Sequence, residues 1–164
     1  MRRKLVVGVM GPGRVATDRQ IDVAYKVGRM IAEAGCNLLN GGVAHGVMDA
    51  SARGAAEIGG VEIIGVTPHK QPSETHPVSE HVTILIETTF GEGRNLINAR
   101  SSDLVIAIGM CPGTASEVCF AIKAGKPIFL MDCPSEAHDF FRALGGNVQI
   151  GIIEHIRSML MERA

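Results

Sequence analysis

The sequence predicts an α/β fold, a doubly wound parallel sheet with helices on both faces. Three observations predict it. Short, uncharged, apolar runs such as Leu5–Met10, Leu104–Ile108 and Pro127–Met131 read as strands buried in the sheet. Segments of helical periodicity alternate with these runs, the pattern of successive parallel βαβ units. Glycine-rich turns close several of the runs, at Gly11–Gly13, Gly41–Gly46 and Gly109–Gly113. In a parallel sheet such turns share the carboxyl edge, where open α/β sheets bind ligands.

Composition sets the bounds. With 164 residues, 46% apolar and 20% charged, the chain is long enough for one real core, so residues 1–164 are expected to form a single domain. Sixteen basic residues balance seventeen acidic ones, and there are five Phe, one Tyr and no Trp. That leaves neither a basic field nor stacking rings, so nucleic acid is not an expected partner. The four cysteines form no C-x-x-C pair, which predicts reduced thiols and a reducing, cytoplasmic setting. Met1-Arg-Arg-Lys4 resembles a signal-peptide start, but the apolar run after it is short and meets Gly11-Pro-Gly13. No run approaches the roughly 20 residues that span a bilayer, so no membrane partner is expected.

Leu5–Met10 is the first strand, and Gly11-Pro-Gly-Arg-Val-Ala16 follows with G-x-G-x-x-A spacing. Thr17-x-x-Gln20 offers a capping box to a helix running to about Ala34. A nicotinamide-dinucleotide site also needs an acid at the end of the second strand. That strand, Asn37–Leu39, ends in Asn40-Gly41-Gly42, so the glycines serve a tight turn or a different ligand. A second glycine-rich turn, Asn40–Gly46, opens a helix over Val47–Ile58 whose Ser51, Gly54 and Ala55 suit close packing on the sheet. Strand three is Glu62–Val66. The polar, proline-rich connection 67–81 has the length of a lid. Its His69, His76 and His81 with Glu74 and Glu80 fit no short metal motif, and no metal site is expected. Strand four, Val82–Ile86, leads through Gly91 and Gly93 to a helix over Arg94–Ser101, where Arg94 and Asn98 share a face. A cation at a helix start opposes the dipole, which suggests either a nearby anion or an exposed arginine paired with Glu92.

The central unit is Leu104–Ile108, a Gly/Pro turn, and Thr114-Ala-Ser-Glu117 with capping-box spacing, opening a helix over Ala115–Ala124. Strand, glycine turn and helix start make an anion site, because free N–H groups and the dipole point at the loop. A strand over Pro127–Met131, a helix over Glu136–Leu144 and a last helix over Ile150–Met161 complete a Rossmann-like order.

Gly41-Gly42…Gly46-Val-Met48, Arg94-Asn95 and Gly113-Thr114…Glu117, in that order, resemble the Lonely Guy (LOG) phosphoribohydrolases, a family once mislabelled lysine decarboxylases. In length and style the chain is closer to their relatives among molybdenum cofactor carrier-like and DNA-processing-protein-A-like proteins. The resemblance covers roughly residues 4–131. It implies a phosphate-bearing ligand, a nucleotide or a pterin phosphate, held with no further cofactor by Gly11, Gly13, Gly41, Gly42, Gly46, Cys111, Gly113 and Thr114. It also implies Arg94 and Glu117 as catalytic residues, and a homo-oligomer. Departures from the family pattern are Val43 for a glycine, Asn95 for a lysine, and Gly109-Met110-Cys111 for P-G-G. The last puts side chains where bare backbone approaches phosphate.

Two functions fit. In a phosphoribohydrolase, Gly113 and Thr114 hold the phosphate, Arg94 neutralises it or stabilises the sugar, and Glu117 serves the oxocarbenium-like cation and water. Alternatively, the same anion site serves a non-catalytic carrier or sensor of a phosphorylated ligand such as molybdenum cofactor, which the substituted Met110-Cys111 favours. Glu117 could also simply cap its own helix. A Cys111 nucleophile at a helix start has no histidine placed beside it, and a small buried thiol is the better reading.

Overall fold

A computed structural model describes residues 3–69 and 77–163. Its strands are β1 (Val6–Met10), β2 (Asn37–Asn40), β3 (Ile63–Thr67), β4 (Ile84–Glu87), β5 (Leu104–Ile108), β6 (Ile128–Met131) and β7 (Val148–Ile150). Its helices are α1 (Asp18–Glu33), α2 (Gly46–Ile58), α3 (Arg94–Ser101), α4 (Pro112–Lys123), α5 (Ser135–Ala143) and α6 (Ile153–Arg163), with one 3₁₀ turn at Gly91–Gly93. Every strand pairing is parallel, in the order β4-β3-β2-β1-β5-β6-β7. The chain winds outward from β1 to β4, returns beside β1 as β5, and winds out the other way. The order therefore reverses between β1 and β5. This is the α/β, Rossmann-like sheet that the alternating pattern predicts.

Strand alternation divides the core in two. Val7, Val9, Leu38, Leu104, Ile106 and Ile108 face α1, α2 and α6. Met10, Leu39, Val66, Val105, Ala107 and Leu130 face α3, α4 and α5. Each side chain on a central strand thus meets a helix layer, which is why these strands read as unbroken apolar runs. At the amino edge Arg3 forks onto Asp103 at 2.6 and 2.7 Å, and Asp103 accepts the Val6 N–H at 2.8 Å, fixing β1 beside β5.

The structure departs from the sequence reading at four places. The small residues of α2 meet α1 as well as the sheet: Ser51 Oγ accepts from Asn40 Nδ2 of β2 at 3.1 Å, while a Cβ at Gly28 would lie 2.0 Å from the Ser51 carbonyl oxygen, and one at Gly54 2.1 Å from that of Tyr25. Strand four starts two residues later than expected because Val82 turns inward against Gly65. Val148–Ile150 is a strand, β7, and the last helix begins only at Ile153. Finally, α4 begins at Pro112, not Ala115. Of the 67–81 connection, residues 70–76, with His76 and Glu74, lie outside the described residues. Its far end is pinned, since Ala44 N–H donates to Pro77 O at 2.7 Å and Ser79 N–H to Gly42 O at 2.9 Å.

Candidate functional site

A cleft of about 360 Å³ opens at the carboxyl edge, at the reversal of strand order. Gly11, Gly13, Gly41, Arg94, Cys111, Gly113, Thr114 and Glu117 all line it. The turns after β1, β2 and β5 therefore converge as their glycine content suggested. Gly42 and Gly46 do not line the cleft. Gly46 has φ +57° and sits where a Cβ would be 2.1 Å from the Gly13 carbonyl oxygen, so it shapes the neighbouring turn. Gly42 approaches the Gly65 backbone.

The wall nearest β5 is the first turn of α4. Cys111 is the N-cap and Pro112 the first helical residue, a position whose fixed φ and missing N–H suit proline. Pro112 has no donor, and the Ala115 N–H already reaches Cys111 O at 2.8 Å. The first-turn donors left for a ligand are thus Gly113 and Thr114. Thr114 is 1% exposed, and its hydroxyl meets the Cys111 thiol at 3.2 Å. Asn95 braces this turn from α3 by donating to Ser116 Oγ at 2.9 Å, while Ser116 donates to Gly113 O at 2.7 Å. Of the two substituted residues, only Cys111 meets the cleft. Met110 packs into the core beneath α3 and α4, so the expectation that both side chains crowd the anion site is corrected.

Arg94 is half-buried rather than an exposed partner of Glu92. Its Nη1 donates to the carbonyls of Gly41 and, at 2.9 Å, Val66, so α3 holds the ends of β2 and β3. A Cβ at Gly41 would fall 2.1 Å from Nη1, which explains why that turn residue is a glycine. Burial pulls the guanidinium below the usual arginine range, opposed by the charge of Glu117.

Glu117 caps nothing. With the helix starting at Pro112, Thr114 and Glu117 are both inside it, one turn apart on the cleft side. The carboxylate is 7% exposed and accepts a hydrogen bond from Asn98 Nδ2 at 2.9 Å. Burial pushes its pKa up to about 7 against the opposing pull of the Asn98 bond and the Arg94 charge. Asn98 is fully buried and its Oδ1 has no partner. Sequence reasoning had put Asn98 on the Arg94 face without a role; the i, i+4 spacing was its only signal. Met10, Met48, His69, Glu92 and Asn95 also line the cleft. They come from separate elements, and no local motif could have gathered them.

Asn40 shows why no dinucleotide acid stands at the end of β2. Its amide donates to Met48 O at 2.8 Å and Ser51 Oγ at 3.1 Å and accepts the Gly42 N–H at 2.8 Å. That side chain serves the turn itself. Among the described residues no group of three His, Cys, Asp or Glu could hold a metal ion, and no helix is long and apolar enough to cross a membrane.

The fold has close counterparts. A molybdenum cofactor binding protein from the phototrophic bacterium Rippkaea orientalis superposes with a TM-score of 0.89 at 41% identity, covering 98% of this chain and 99% of that one. The molybdenum cofactor carrier protein of Chlamydomonas reinhardtii gives 0.87 at 40% identity, over 98% of each chain. DNA processing protein A of Helicobacter pylori shares the fold, with a TM-score of 0.71 at 20% identity over 97% of this chain and 81% of that one. Residues 4–158 match the SLOG cluster4 family, and this chain belongs to it.

Proposed function

We propose that this protein binds and carries a phosphorylated pterin, the molybdenum cofactor being the nearest example. The observation that carries this reading is the likeness, over almost the whole of both chains, to two proteins named for that cofactor at 40% and 41% identity. The geometry supports it. The phosphate would accept the N–H groups of Gly113 and Thr114 at the positive end of α4, with the Arg94 charge nearby. A cleft of about 360 Å³ lies within the range of small-ligand sites, and Met10 and Met48 give a flat ring apolar walls. A carrier needs this grip and no bond-breaking group.

N-glycosidic hydrolysis of nucleoside 5'-monophosphates is the second reading. It is favoured by one observation, the convergence of Arg94 and the buried Glu117 on the cleft. Both readings meet in one experiment. The purified protein is incubated with molybdenum cofactor released from a molybdoenzyme and, separately, with several nucleoside monophosphates. Native mass spectrometry detects retained ligand, and chromatography detects free base. Retained cofactor without base release is the expected outcome. Base release that Glu117→Gln lowers roughly a hundredfold would establish the hydrolase instead.

A further inference from the structure

Strand β4 is open where the central strands are buried. Ile84, Leu85 and Ile86 are 41%, 41% and 44% exposed, and Glu87 is exposed as well. Successive side chains of a strand point to opposite faces, so both faces of β4 are uncovered. It is also terminal in the sheet, pairing with β3 on one side and with no strand of the described residues on the other. The neighbouring elements explain this. Helix α3 lies against β1 and β3, short of the edge, and the described part of the β3–β4 connection holds no helix. At the opposite edge α5 packs beside β7. Ile84-Leu-Ile86 carries neither Lys nor Pro, two devices that blunt an edge, and an apolar edge left open is a template for another chain. Phe90, in the turn that follows, adds a ring that is 71% exposed.

The charges around this edge have one sign. Residues 60–69 and 77–93, which make β3, β4 and the turns beside them, contain Glu62, Glu80, Glu87 and Glu92 and no Lys or Arg. All four glutamates are exposed. Arg94, which comes next, turns inward onto the carbonyls of Gly41 and Val66. His81 lies 4.0 Å from Glu80, and Lys4 donates to Gly60 O at 2.8 Å, ahead of β3. The edge therefore offers apolar side chains inside an acidic rim.

We propose that the β4 edge docks an extended segment of another protein, apolar at its centre and flanked by lysine or arginine. Such a segment completes the backbone ladder, covers Ile84, Leu85 and Ile86, and meets the glutamates with opposite charge. A second copy of this chain fits worse. Its own β4 brings the same glutamates, so pairing the two edges would set like charges together. The docked segment lies beside the mouth of the cleft, because Gly91 and Glu92, which follow β4, line it. The proposal goes beyond the carrier reading and holds whichever ligand fills the cleft.

The test titrates a capped synthetic peptide, Lys-Lys-Val-Thr-Ile-Thr-Val-Lys-Lys, into the full chain. Two further peptides serve as comparisons: the same core flanked by glutamates, and the lysine-flanked core with proline at its centre, which cannot complete the ladder. At about 50 mM salt the lysine-flanked peptide is expected to bind at least about tenfold tighter than either. Its advantage over the glutamate-flanked peptide should shrink at about 0.5 M salt. Amide chemical shifts should change at Ile84–Glu87. The double variant Glu80→Lys, Glu87→Lys alters two exposed side chains outside the cleft. It should reverse the preference between the two charged peptides and leave inorganic phosphate binding unchanged. Equal affinity for the lysine- and glutamate-flanked peptides, binding of neither, or shift changes confined to residues away from β4 overturns the proposal. So does a dimer of the chain alone, seen by sedimentation, that Leu85→Lys dissolves, since the edge then belongs to a second copy. Failure to retain molybdenum cofactor removes the carrier reading and leaves this proposal standing.

Discussion

Between pH 4.5 and about 7 the folded chain holds a proton on Glu117 that the unfolded chain has already released. A carboxyl whose folded pKa is raised costs nothing below its unfolded value. Its penalty grows as pH rises and is complete above the folded value, reaching about 3 kcal/mol here. Glu117→Gln keeps an acceptor for Asn98 and removes the charge. It should raise the melting temperature by roughly 6–12 °C at pH 8.5 and leave it nearly unchanged at pH 4.5, as thermal unfolding at the two pH values will show. A helix cap would behave the opposite way, losing stability on substitution. The sequence reading went astray at this residue for a physical reason. Thr-x-x-Glu is a capping box only when the Thr precedes the helix. Pro112, free of the N–H that a first helical residue has no use for, starts the helix two residues before Thr114. The same spacing then becomes an internal i, i+3 pair facing the cleft. At Thr17 nothing intervenes, and the box forms as its spacing predicts.

Helix α4 keeps a glycine at its second position for no reason internal to the protein. A Cβ on Gly113 would meet nothing nearer than Asn95 Nδ2 at 3.8 Å. Alanine is the better helix former by up to about 1 kcal/mol, so Gly113→Ala should hold or slightly raise the melting temperature. Helical Cβ atoms lean toward the amino end, which here is the ligand end. The same variant should weaken inorganic phosphate binding roughly tenfold by calorimetry, and unchanged affinity would move the anion site elsewhere. Gly28 in α1 is the contrasting case. Its missing side chain lets α1 and α2 touch backbone to backbone at Ser51, and Gly28→Ala should cost about 3 kcal/mol in chemical denaturation without touching the cleft. Elements with strong periodicity or long apolar runs were legible in the sequence. β7 was not, because Val148-Gln149-Ile150 is largely exposed and only three residues long, too short for its alternation to stand out after the Gly145-Gly146 break. It exists only because β6 offers an edge.

The sheet as a whole was legible because buried parallel strands leave an unmistakable apolar signature, and the carboxyl-edge location of the site followed from that alone. Which glycines shape turns and which face ligand was not legible, since that depends on elements far apart in sequence, such as Arg94 lying against Gly41. The cleft draws on both windings of the sheet: Gly41 and Arg94 from the first, Gly113, Thr114 and Glu117 from the second. The strand order also has a consequence for the chain as it is made. β1 ends up at the centre, with β2 on one side and β5 on the other. β2 follows it from the ribosome within a few seconds, whereas β5 is synthesised on the order of ten seconds after β1. Throughout that interval a nascent β1 presents Val7, Val9 and a row of unpaired backbone groups along its open side, a surface that chaperones or neighbouring nascent chains can occupy before β5 arrives to close it.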